Sequence, residues 1–161
     1  MKKTSIIALL LAALSFGLVA APAVQASDAG VRKTVKRYQA RTAPLAERFA
    51  KADAAVKSSA DIPAAATAAG KFRTGLRKYK KALSGAKAES TQIKRGKAQL
   101  LDAIRKFDLA LVEYQGLVQM TQTGATEQQV QESLQTIQRR IRAAAKSERA
   151  ALKKLGFRVI G

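Results

Sequence analysis

Four segments of this chain set apolar residues at alternating spacings of three and four, the pattern of a helix with one buried stripe. The first stripe runs Val31, Val35, Tyr38, Thr42, Leu45, Phe49, Ala52 and Val56, and the second Ile62, Ala65, Ala69, Phe72, Leu76, Tyr79, Leu83 and Ala86. The third is Ile93, Lys97, Leu100, Ile104, Phe107, Leu111, Tyr114 and Val118, and the fourth Val130, Leu134, Ile137, Ile141, Ala144, Glu148, Ala151 and Leu155. A strict seven-residue repeat calls for left-handed, coiled-coil-like packing of helices. It is incompatible with the two-residue alternation of a strand.

The breaks between stripes place helices at roughly 29–57, 62–87, 91–122 and 127–155. Ser58-Ser59-Ala60-Asp61 ahead of Pro63 supplies a cap and an early-helix proline. Thr126-Glu127-Gln128-Gln129 reads as a capping box, and Gly156 is a natural C-terminal stop. The break near Ala88-Glu89-Ser90 carries a weaker signal. Pro44 removes a backbone hydrogen bond inside the first helix, yet the stripe keeps its phase, so a kink near Thr42 is expected rather than two helices. Short connections force neighbouring helices to run antiparallel. The expected fold is all-α, an up-down-up-down four-helix bundle about 40 Å long, with residues 27–161 as a single domain. Ala68, Gly75 and Ala82 on the second helix, and Gly96, Ala103 and Ala110 on the third, predict a close seam between those two.

Ahead of the first helix stand Lys2 and Lys3, an apolar run over residues 6–21, and the small-residue pattern Val24-Gln25-Ala26. This is the layout of a Sec-type signal peptide covering residues 1–26, cleaved after Ala26. The expected location is therefore secreted or extracytoplasmic, in a periplasm or cell envelope. The chain has no cysteine, which excludes a lipobox anchor, disulfides and thiol catalysis.

Charge is segregated along the chain. Of the 30 Lys and Arg residues, none falls in residues 107–138. In the expected topology, residues 27–42, 71–106 and 139–161 meet at one end and contribute +4, +10 and +7, or +21 together. The other end holds Asp108, Glu113, Glu127 and Glu132 with no basic residue in their own segment, and totals −4. The ends lie several Debye lengths apart in physiological salt and act independently. Candidate polyanion-binding residues are Lys36, Arg37, Arg77, Lys78, Lys80, Lys81, Lys94, Arg95, Lys146, Arg149, Lys153 and Lys154. The Arg77-Lys78-Tyr79-Lys80-Lys81 run forms their centre.

One level of the bundle breaks the apolar pattern. Tyr38, Tyr79, Lys97 and Glu148 all fall on stripe positions there, forming a polar core layer in which Lys97 is expected to pair with Glu148. Such a layer fixes register between helices. Its two phenols and one ammonium also offer a small anion site.

Catalytic signatures are absent from the sequence. Without His or Cys, no Ser-His-Asp or Cys-His arrangement can be built, and transition metals lose their commonest ligands. Asp108 and Glu113, like Glu127 and Glu132, are five apart and diverge around a helix. No enzyme activity, cofactor or metal is expected. The tail from Phe157 is expected to fold back and cap the core, with lipid attachment through Phe157 and Ile160 as the alternative.

The functional expectation is a non-catalytic secreted protein whose cationic end binds an anionic envelope polymer or lipid headgroups. The alternative is a partner-binding or chaperone-like bundle whose charge serves solubility. Nucleic acid is a lesser partner, because the aromatics fall on core positions and no reading motif is present.

Overall fold

The computed structural model describes residues 26–56 and 61–158. They form four helices, α1 (Ala26–Ala54), α2 (Ile62–Gly85), α3 (Thr91–Gln122) and α4 (Glu127–Lys154), and no strand among the described residues. No described helix is long and apolar enough to cross a membrane. Residues 1–25 of the expected signal peptide, the Ser58-Ser59-Ala60 cap and the last tail residues, 159–161, lie outside the described residues.

The helices bury one contiguous apolar cluster drawn from all four elements. In α2 every stripe residue from Ile62 to Leu83 is buried, and only Ala86, past the helix end, is half-exposed. Aromatic rings fill the middle: Phe72 lies 6.5 Å from both Phe49 and Phe107, and Phe49 meets Tyr114 edge-on at 5.0 Å. These rings join α1, α2 and α3 through the largest apolar areas in the chain.

The seams differ from expectation. Helix α3 packs along both α2 and α4, and α1 along α2, whereas α1 and α4 share no extended backbone seam among the described residues. A β-carbon on Gly96 would fall 2.9 Å from Leu155 Cγ at the end of α4, and one on Gly75 would fall 2.8 Å from Leu45 Cδ1 on α1. Gly75 and Gly96 therefore open the outer contacts of the two middle helices, and α3 buries a second line, Gly96, Ala103, Ala110 and Leu117.

Helix α1 also departs by one position. Its buried line is Val31, Val35, Gln39, Thr42, Ala46 and Phe49, while Tyr38, Leu45 and Ala52 are only half-buried. Hydropathy cannot select Gln39 or Ala46 over Tyr38 and Leu45, although the α1–α2 geometry does. The helix continues through Pro44, which sits on the exposed face with Ala40. Water can reach the carbonyl that proline leaves without a donor.

Helix ends follow their chemistry. Thr126 and Gln129 form the reciprocal capping box, and Ser90 Oγ accepts from Ile93 N at 3.3 Å. Asp61 precedes α2 without a side-chain capping bond. Gly156 (φ 81°) ends α4 in a left-handed conformation, with Phe157 N donating to Leu152 O at 3.0 Å and Gly156 N to Lys153 O at 3.0 Å. Phe157 is buried, so it caps the core as expected.

Candidate anion-binding surface

Three contacts gather the helix ends. Asp28 Oδ1, at the start of α1, accepts from Glu89 N at 2.9 Å and Ser90 N at 3.4 Å in the α2–α3 connection. Gln92 Nε2, at the start of α3, donates to Lys154 O at the end of α4 at 3.0 Å. The Arg32 guanidinium covers Gly156, where a β-carbon would lie 2.7 Å from it. At the opposite end, Ser133 Oγ reaches Met120 Sδ at 3.7 Å, and Tyr114 Oη donates to Asp53 Oδ1 at 2.6 Å.

The candidate cations are spread over all four helices. Lys36, Arg37, Arg77, Lys78, Lys80, Lys81, Lys94, Arg95, Lys146, Lys153 and Lys154 are exposed, and Arg149 is half-buried. Of the acids in the same segments, Asp28 and Glu148 are buried and Asp102 is paired, while Glu89 is exposed. Asp28 is buried, and the hydroxyl of Ser90, followed by the backbone N–H of Glu89, holds its carboxyl below the ordinary range. Asp102 is held low by Lys106 and then Arg105, which both bond it.

The acids of the lysine- and arginine-free tract are not all unopposed. Asp108 pairs with Arg73 Nε at 2.7 Å and lies 3.5 Å from Arg77 Nε, while Glu113 pairs with Arg140. Segment sums cannot see these bonds, which cross between helices at the border of the two charge regions. Arg77, with 60% of its side chain still exposed, is therefore partly committed. No family model, curated protein or solved structure matches this chain.

The polar layer is rearranged. Lys97 does not pair with Glu148; its Nζ donates to Ser84 O at 2.8 Å and Ala86 O at 2.6 Å. A lysine beside a helix C-terminus gains the carbonyls that lack intrahelical donors, and its neighbour Gly96 takes the buried place. Glu148 (4% exposed) instead meets Gln39. Burial pushes the Glu148 carboxyl up to about 8, against the hydrogen bond from Gln39 and the charge of Arg149. Tyr79 is buried too, and burial first, then the Glu148 charge, drives its phenol well above the usual value. Gln39 Oε1, Tyr79 Oη and Glu148 Oε2 are buried without hydrogen-bond partners.

Tyr38 lies at the edge of this layer, stacked on Tyr79 with ring centroids 5.4 Å apart and planes 6° from parallel. Arg37 and Arg41 stand over its ring at 5.0 and 5.6 Å. Gln39 and Arg41 escape a reading of the sequence, the first because a glutamine beside a tyrosine carries no apolar signal. Among the described residues no group of three or more acidic side chains could hold a metal ion.

The separation of Lys97 from Glu148 gives a direct expectation. In Lys97→Met, Glu148→Gln and the double variant, stability changes should add within about 0.5 kcal/mol, since the groups share no contact. A coupling well above that in denaturant titrations would restore the pair.

Proposed function

We propose that this is a non-catalytic secreted protein, an up-down-up-down antiparallel bundle released from a signal peptide, whose cationic end binds an anionic component of the cell envelope. The antiparallel topology is supported by the pairs Gln92–Lys154 and Met120–Ser133 at opposite ends of α3 and α4. The signal peptide is supported by the composition of residues 1–26 alone. One observation carries the functional reading. Apart from Arg77, paired with Asp108, and Arg149, turned partly inward, the named cations make no ion pair among the described residues and face solvent.

Unpaired, solvated charges on one end attract a polyanion and release its counterions on binding. Binding of the purified protein to anionic vesicles and to an anionic wall polymer should weaken steeply across a salt series, with the quadruple reversal of Arg77, Lys78, Lys80 and Lys81 to Glu abolishing it. Binding unchanged between low and high salt would defeat the proposal. A protein partner is favoured by a different observation: Leu109 (47% exposed) and Val112 (37%) stand in the open on the tract without basic residues. Association through them would survive high salt.

A further inference from the structure

A groove of about 490 Å³ runs along the α1–α2 seam, away from the helix ends. Tyr38, Arg41 and Leu45 line it from α1, and Lys71, Gly75 and Lys78 from α2. Its floor is apolar for a local reason. Thr42 and Thr74 turn their hydroxyls back onto Tyr38 O at 2.8 Å and Gly70 O at 3.0 Å, Gly75 adds no side chain, and Leu45 and the Tyr38 ring supply carbon surface.

The rim has the opposite character. Arg41, Lys71 and Lys78 make no ion pair among the described residues, and no acid lines the groove. Of the other cations nearby, Arg73 and Arg77 both reach Asp108, and Arg37 stands over the Tyr38 ring beside Arg41. Arg41 is also positioned in advance, over a tyrosine ring that is itself stacked on buried Tyr79.

We propose that this groove binds the headgroup of a single anionic phospholipid, its phosphate meeting Arg41, Lys71 and Lys78 and its glycerol carbons lying on Leu45 and Tyr38. The inference rests on the envelope-binding reading and adds a defined subsite to it. Volume and character fit: small-molecule sites fall between about 300 and 1,000 Å³ and combine apolar walls with a few placed polar groups. A guanidinium and two ammonium groups match a phosphate by charge-assisted hydrogen bonds. A wholly hydrophilic phosphate polymer would leave the carbon floor uncovered, whereas a lipid carries carbon directly beside its phosphate.

The test titrates the purified, isotope-labelled protein with dihexanoylphosphatidylglycerol below its micelle concentration, following backbone amide shifts. Saturable shifts confined to the surroundings of Tyr38, Leu45 and Gly75 are expected, with dihexanoylphosphatidylcholine, inorganic phosphate and polyphosphate each about tenfold weaker or worse. Arg41→Gln with Lys71→Gln should weaken the anionic lipid about tenfold while leaving the melting temperature near that of the parent. Equal binding by the double variant, or equal shifts at Tyr38, Leu45 and Gly75 with inorganic phosphate or polyphosphate, overturns the groove.

A second arm separates this from the broader reading. If salt-sensitive vesicle binding persists in the Arg41/Lys71 variant and monomeric lipid never binds, the groove fails and the cationic end stands. If neither the parent nor the variant binds anionic vesicles, both fail. Neutralising Lys80, Lys81, Lys94 and Arg95 should weaken vesicle binding and leave monomeric lipid affinity unchanged.

Discussion

Raising the pH from about 4.5 to about 8 is expected to destabilise this protein, and Glu148→Gln to remove most of that slope. The Glu148 carboxyl is pushed up from 4.5 to about 8 by burial. Between those values the folded state holds a proton that the unfolded chain has released, so stability falls as pH rises and levels off above about 8. Each tenfold gain in proton affinity on folding corresponds to about 1.4 kcal/mol, which sets a ceiling of about 5 kcal/mol for the whole window. Asp53, raised by burial against a hydrogen bond from Tyr114, adds a loss at the acidic start of the window. Asp28 and Asp102, held low by their donors, act with the opposite sign and only at lower pH.

No neighbouring group removes the cost of ionising Glu148. Gln39 from α1 donates to it, Tyr79 from α2 presents a buried hydroxyl without a partner, Arg149 on its own helix helps only in part, and Lys97 is spent on the α2 carbonyls. A protonated carboxyl is the better occupant, because its O–H can be given to an oxygen of Tyr79 or Gln39. Glu148→Gln keeps the shape and a donor without the charge. Above pH 8 the variant should be more stable than the parent by several kcal/mol, on the order of the ceiling above, and near pH 4.5 about equal to it. Denaturant midpoints at pH 5, 6.5 and 8.5 measure this; a flat parent profile would show that Glu148 ionises without penalty.

How far the fold was legible depended on side-chain size. In α2 the apolar stripe from Phe72 onward is made of Phe, Leu and Tyr separated by polar or small positions, and burial follows it residue by residue, as it does through Ile62, Ala65 and Ala69. In α1 the contrast between neighbouring positions is weak or reversed, and the inward line passes through Gln39 and Ala46 where hydropathy selects Tyr38 and Leu45. Heptad counting put Lys97 on the α3 stripe, but a glycine one position earlier lets Leu155 approach and leaves lysine free to reach the preceding helix end. Glycine carries no hydropathy signal that announces such an approach.

The charged surface was legible in the same partial way. Exposure of Lys80, Lys81, Lys94 and Arg95 follows from their place off the stripe, and the structure keeps them exposed. The ion pairs of Asp108 and Glu113 join residues 27 to 35 positions apart in sequence, so they depend on how helices face one another. The α1–α2 groove was hidden for that reason as well: Arg41 and Lys71 carry no signal until the two helices pack and Thr42 and Thr74 turn their hydroxyls onto the backbone.

Truncating Phe72 to Ala is expected to cost about 3 to 5 kcal/mol, the range for a large aromatic deleted from a core. The ring is 1% exposed and lies between Phe49 on α1 and Phe107 on α3, both 6.5 Å away. Its loss removes apolar area and also leaves a cavity where three helices meet. Collapse should be limited, because Phe49 is held edge-on against Tyr114, which is itself bonded to Asp53 at 2.6 Å. A melting temperature lower by on the order of 10 °C should accompany the change in denaturant midpoint. Phe72→Leu, which keeps most of the volume, should recover more than half of the loss. Since Phe72 is separate from the exposed cations, residual folded protein should bind anionic vesicles with the parent's salt dependence. A cost below about 1 kcal/mol would mean that the site readily collapses and that these rings do not tie α1, α2 and α3 together.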